Sequence, residues 1–158
     1  MMTGVLDLTR EDDAHVAVRL ARETIAWLGT TRRDGRPHNV PVWFGWDDPV
    51  ALVFSPPDAA KVAHLRARPA CTLVLESADL GNDIVIIEGR ARFADLDADE
   101  VRPRAAAFAA KYAPLRAGSF EEWVEGFAQP VLIEAERIVA WSKPEGELRF
   151  RVVQAAST

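Results

Sequence analysis

The chain has 158 residues, 49% apolar and 27% charged, which fits one globular domain and excludes a disordered polypeptide. Its 19 basic and 24 acidic residues leave a net charge of −5 and a pI near 5.2, which argues against a surface built to capture nucleic-acid phosphates. No apolar run reaches the roughly 18 residues of a membrane-spanning helix, the opening MMTGVLDLTREDDAH has neither the basic start nor the apolar stretch of a secretory signal, and the single cysteine, Cys71, has no internal partner. A cytoplasmic location is the expectation.

In chain order, EDDAHVAVRLARET (11–24) reads as a helix with Ala14, Val18, Ala21 and Ile25 on its apolar face. Thr9 is its expected N-cap, and the acidic residues suit its first turn. A short apolar strand, Ile25 to Thr31, leads to the turn Asp34-Gly35. Residues 38–46 then alternate: Val40, Val42, Phe44 and Trp46 share one face, and Asn39, Pro41, Trp43 and Gly45 the other. The turn Asp47-Asp48-Pro49 leads to a partner strand, Val50 to Phe54, so two consecutive hairpins are predicted.

SPPD (55–58) opens a predicted helix that runs to Arg68, with Val62 and Leu65 inward and Pro69 as its stop. Cys71–Glu76 and DIVIIEGRARF (83–93) read as strands, the second carrying a bulge or bend at Gly89. Asp97 to Leu115 is expected to be the longest helix, with Val101, Ala105, Phe108, Tyr112 and Leu115 at helical spacing and Pro103 tolerated near its start. A helical turn over Phe120–Glu125 precedes two closing strands, Pro130–Trp141 and Leu148–Val153, around the turn 143–146. Six or seven short strands with few helices between them predict an α+β fold, a small antiparallel barrel with peripheral helices. A single domain covers 1–158, with the helix over about 9–24 and the barrel over about 25–153.

The motif search removes several chemistries. Neither GxGxxG nor GxxxxGK[ST] is present, so both common nucleotide loops are missing. His15, His38 and His64 lie apart in sequence with no HExxH, which predicts no metal site. Cys71 reads as a buried inert thiol, and no GxSxG supports acyl transfer. The cluster Asp95, Asp97, Asp99 and Glu100 reads as a helix start and a solvated face. No catalytic residue is identified, so an enzyme of this sequence would leave its chemistry to a cofactor.

Two places invite one. In SPPDAAK (55–61) a strand ends and a helix begins, where free backbone N–H groups and Lys61 make an anion site. The plainer reading is that Ser55 or Asp58 caps the helix and Lys61 is solvated. Lysine is scarce here (Lys61, Lys111 and Lys143 only), while arginine and alanine abound, the habit of a GC-rich bacterial genome. The second place is the face carrying Asn39, Pro41 and Trp43, where a tryptophan serves as core, as subunit contact or as the wall for a flat ring.

Taken together, TIAWLGTTRRDGRPHNVPVWFGWDD, LVFSPPDAAKVAHLRARPACTLVLE and DIVIIEGRARF resemble the pyridoxamine 5′-phosphate oxidase-like split β-barrel flavoproteins, over roughly residues 22–141. Within them the sequence is most similar to the branch that uses the deazaflavin coenzyme F420. The resemblance implies a homodimer with the cofactor at the subunit interface. It implies that Asn39, Val40, Pro41, Val42, Trp43 and Phe44 line the ring and tail, with Phe54 and Ser55 contacting the ring and ribityl or phosphate region. Lys61 matches the phosphate-binding lysine. Trp141, with Arg149 or Arg151, falls where the oxidases place an aromatic and an arginine.

FMN-using oxidases carry arginines where this chain has Asn39 and Ala60. Losing two guanidiniums weakens the case for FMN and suits a cofactor whose phosphate is a diester, whose anionic tail Arg66 and Arg68 could meet. The expectation is therefore an F420-dependent oxidoreductase that passes hydride between cofactor and a small organic substrate. The open alternatives are an FMN-dependent oxidoreductase, a non-catalytic flavin, deazaflavin or haem carrier, and a structural dimer with a filled pocket.

Overall fold

The computed structural model describes residues 4–156. Helix α1 (Glu11–Arg22) leads into two hairpins, β1 (Ala26–Thr31) with β2 (Pro37–Val42), and β3 (Gly45–Asp47) with β4 (Val50–Ser55). Gly35 turns the first hairpin at φ +88°, a left-handed conformation that glycine adopts without steric cost. Helix α2 (Ala60–Ala67) follows, then β5 (Ala70–Leu75), β6 (Ile84–Phe93), α3 (Arg102–Tyr112), α4 (Phe120–Glu125), β7 (Gln129–Ser142) and β8 (Arg149–Gln154).

All eight strands form one antiparallel sheet in the order β2-β1-β5-β6-β7-β4-β3, with β8 also on β7. The 14-residue β7 organises it. β6 runs along one of its edges, while the other is shared by β4 on residues 129–134 and β8 on residues 137–142. The expected irregularity at Gly89 is a register shift between Glu88 and Gly89. A Cβ on Gly89 would stand 2.5 Å from the Glu134 carbonyl oxygen, so only glycine lets the two backbones approach this closely.

Two apolar clusters result. Inside the curl of the sheet, Leu28, Phe44, Leu73, Ile87, Ile133 and Ile138 are among the fully buried side chains, capped by Val16 and Leu20 of α1. Outside it, α3 and α4 cover the opposite face of β4 and β7, burying Leu52, Phe54 and Leu132 against Phe108, Tyr112 and Val124. This explains why all six residues of β4 are buried: both of its faces are covered.

Four expectations are corrected. The buried face of α1 is Asp13, Val16, Arg19 and Leu20, and Val18 is 46% exposed. Ion pairing decides this, because Asp13 binds Arg151 at 2.7 Å and Arg19 binds Asp83 at 2.7 Å, so polar residues turn inward. Arg10, without a side-chain bond, occupies the N-cap, and Thr9 bonds Asp7 instead. Helix α3 starts at Arg102, its acidic cluster lying in the turns before it with Glu100 forked onto Arg92, and it ends at Tyr112, leaving Leu115 exposed. At 11 residues it is shorter than the 12 of α1. The strands number eight among the described residues.

Candidate ring and anion site

The segment between β2 and β3 carries the site. Phe44 turns into the barrel interior and is fully buried, which sends Trp43 to the other side, against α3 and α4. The indole of Trp43 stacks on Tyr112 (centroids 4.4 Å apart, planes 6° apart) and beside Trp123 (5.7 Å, 16°), which stacks on Phe127 (4.5 Å, 8°). Such offset aromatic contacts add about 0.5–1.5 kcal/mol each beyond area burial. Tyr112 also fixes the backbone beneath. Its hydroxyl accepts the Phe44 N–H at 2.9 Å and donates to the Thr24 carbonyl at 2.7 Å. Burial pushes this phenol up to about 12, so it keeps its proton.

Beside this stack lies a cavity of about 260 Å³ lined by Pro41, Val42, Trp43, Phe54, Lys61, Trp123 and Phe127. Small-molecule sites usually enclose roughly 300–1,000 Å³, and this cavity lies just below that range. Lys61 is half-buried and has no ion-pair partner among the described residues, and burial lowers its pKa below the ordinary lysine value. It sits in the first turn of α2, whose N-cap, Ala59, offers no side-chain bond. Neither Ser55 nor Asp58 caps this helix, since the Ser55 hydroxyl donates to the Pro56 carbonyl. The helix start therefore keeps its free N–H groups and positive end next to Lys61.

Of the residues expected at the site, Pro41, Val42, Trp43, Phe54 and Lys61 meet at this cavity. Asn39 is exposed on the same face of β2 as Pro41, over Gly29, which leaves space for its side chain. Val40 and Phe44 pack into the barrel interior and Ser55 is fully buried, so these three support the wall from behind. Trp141 lies elsewhere, on the outer face of β7, with its indole N–H on the Gly81 carbonyl and its ring stacked on Phe150. Arg149 pairs with Glu11 and Asp12, and Arg151 with Asp13. Arg66 lies over the Phe93 ring and bonds Gln129, and Arg68 bonds the Arg32 carbonyl.

Sequence reasoning missed Trp123 and Phe127. Phe120, Trp123 and Phe127, three and four residues apart, do form an aromatic helical stripe that could have shown them. It also missed that His38 and His64 meet edge to face at 5.1 Å, with His64 Nδ1 on the Thr30 hydroxyl at 2.9 Å. Burial lowers the pKa of His64, with the neighbouring His38 adding to the effect. Cys71 is buried and its thiol is pushed up to about 12.

The curled antiparallel sheet, its peripheral helices and the double pairing of β7 define a split β-barrel. A family model described as pyridoxamine 5′-phosphate oxidase matches residues 12–142, and the chain belongs to that family. None of the curated proteins compared with it matches. Among solved structures it is similar to a conserved hypothetical protein from Mycobacterium tuberculosis (22% identity, TM-score 0.68, covering 84% of this chain and 88% of that one). It is also similar to an FAD-binding protein from Mesorhizobium loti (19%, 0.63, 79% and 88%) and to an F420 reductase (18%, 0.58, 89% and 92%). At these identities the likeness establishes the fold.

Proposed function

We propose that the protein is a homodimeric F420-dependent oxidoreductase acting on a small organic substrate. The observation that carries this reading is the pairing of an aromatic-walled cavity with an unpaired, half-buried lysine at an uncapped helix start. A flat ring and a phosphate are the two ligand parts this donor set suits. A bound deazaflavin would supply hydride transfer. Trp43, Phe54 and Trp123 orient the ring and exclude water, and Lys61 with the start of α2 holds the phosphate. Asn39 and Ala60, which carry no charge, favour a phosphodiester over the dianionic phosphate of FMN.

The outer face of the sheet supports a dimer. Pro41, Trp27, Val74, Ile86, Val139 and Val152 pair side by side across six strands as one apolar row, with Ile84, Trp141 and Phe150 forming the next. Phe150 is 64% exposed. Exposed apolar patches of this kind mark association surfaces. Pro41 belongs both to the row and to the cavity, so a second copy seated on the row would close the cavity and could bring its Trp141 to it.

The test is a fluorescence titration of cofactor-free protein with F420 and, in parallel, with FMN. Saturable F420 binding at least tenfold tighter than FMN binding is expected. The reverse preference would replace the reading with an FMN-dependent enzyme and overturn the argument from Asn39 and Ala60.

A further inference from the structure

A second cavity, about 160 Å³, lies between α1, α3 and the β3–β4 hairpin; it shares no lining residue with the ring cavity, and Phe108 and Tyr112 separate the two. Its wall is apolar at Ala21, Trp46, Val50, Leu52, Ala107 and Phe108, and two cations and one carboxylate border it: Lys111, Arg104 and Asp47. Asp47 is engaged by Arg104 at 3.0 Å. The guanidinium also donates to the Glu100 carbonyl at 2.8 Å, yet its buried Nε has no partner among the described residues. Lys111 donates one hydrogen bond, to the Phe44 carbonyl at 3.0 Å, and lies 4.0 Å over the Phe44 ring. An ammonium has three donors, and no described carboxylate lies within ion-pair reach of this one. Burial holds Lys111 down to about 8; the charge of Glu23 opposes this, but that carboxylate is bound to Arg19 at 3.0 Å.

We infer that this cavity binds a small monocarboxylate with an apolar body, its carboxylate between Lys111 and Arg104 and its body against Trp46, Leu52 and Phe108. The unfilled donors of the Lys111 ammonium, with the positive charge of the Arg104 guanidinium beside them, suit one carboxylate, which supplies the counter-charge that Lys111 has from no described residue. The apolar wall selects against a fully hydrated ion. The volume of about 160 Å³ suits a guest the size of benzoate.

With only three lysines in the chain, the side-chain Nζ resonances of ¹⁵N-lysine-labelled protein report on the cavity directly. Benzoate is expected to shift Lys111 saturably, leave Lys143 unmoved, and act equally on Lys61→Ala. Lys111→Met is expected to weaken benzoate binding at least tenfold by calorimetry. If that variant fails to fold, the unmodified protein still decides the matter, since benzyl alcohol and inorganic phosphate should each leave Lys111 in place. An absent Lys111 shift with benzoate, an equal shift with benzyl alcohol or phosphate, or a response abolished by Lys61→Ala would overturn the inference. The last outcome would place the guest in the ring site.

Discussion

At the scale of single residues, solvation separates groups that work from groups that only pack. Lys61 is half-buried with no carboxylate in ion-pair reach among the described residues, and burial lowers its pKa, a cost to the charged form that a bound phosphate would relieve. Cys71 shows the opposite case. It faces the barrel interior from β5 with Leu73 and Leu75, and desolvation drives its thiol far above neutrality, with the Glu136 charge adding to the effect. Native protein at pH 8 should therefore show almost no reaction with a thiol reagent such as Ellman's, while denatured protein should react with one equivalent. Rapid labelling of the native form would contradict the inert assignment. Cys71 was legible in the sequence from an apolar strand with no partner residue, whereas for Lys61 the residues alone favoured a solvated side chain and only the family resemblance marked it as a phosphate ligand. Trp123 was missed, because the spacing of Phe120, Trp123 and Phe127 marks an apolar face but not that α4 folds back over β4 to present it.

At the scale of elements, periodicity located the strands well, since a side chain on a curled sheet points either into the barrel or out. It misread α1, whose inward face is set by charge pairing over a separation of 138 residues. Burial alone would raise the carboxyl of Asp13, but the Arg151 guanidinium and the Asp7 N–H outweigh it and hold the pKa below the ordinary value. A group lowered in this way contributes stability above its unfolded pKa, near 3.9 for aspartate, and loses it as pH falls through the lower folded value. Asp13→Asn should thus cost roughly 1.5–3 kcal/mol at pH 7, a drop in Tm of roughly 3–12 °C. The gap between variant and parent should shrink below pH 4. A gap that stays constant down to pH 2 would show that packing, and not charge, holds α1 in place. The end of α3 was also misjudged, because Leu115 continues the helical spacing that the chain abandons after Tyr112.

At the scale of the molecule, the sheet offers two unlike faces. The interior is filled and closed, whereas the outer face presents an apolar row across six strands that ends at the cavity. Placing Ile86→Asp near the middle of that row sets an unpaired carboxylate against its copy, at several kcal/mol for each buried charge. Sedimentation should show the parent as a dimer and the variant as a monomer with an unchanged fold. A monomeric parent, or a variant that still dimerises, would remove the shared-site model. The barrel class was legible from hairpin turns and alternation and its split form from the family resemblance, but the double pairing of β7 with β4 and β8 along one edge was not, since it joins strands far apart in the chain.

The claim at the centre of this account is that Lys61 and the start of α2 form the phosphate half of a cofactor site. The affinity of F420 for the parent protein and for Lys61→Ala measures it most directly. The account predicts weakening by roughly 1.5–3 kcal/mol, the worth of a charge-assisted hydrogen bond, which is about 10- to 200-fold in Kd, with the melting temperature of the free protein unchanged. Equal affinities in the two proteins would contradict it and leave Lys61 with no part in holding a phosphate.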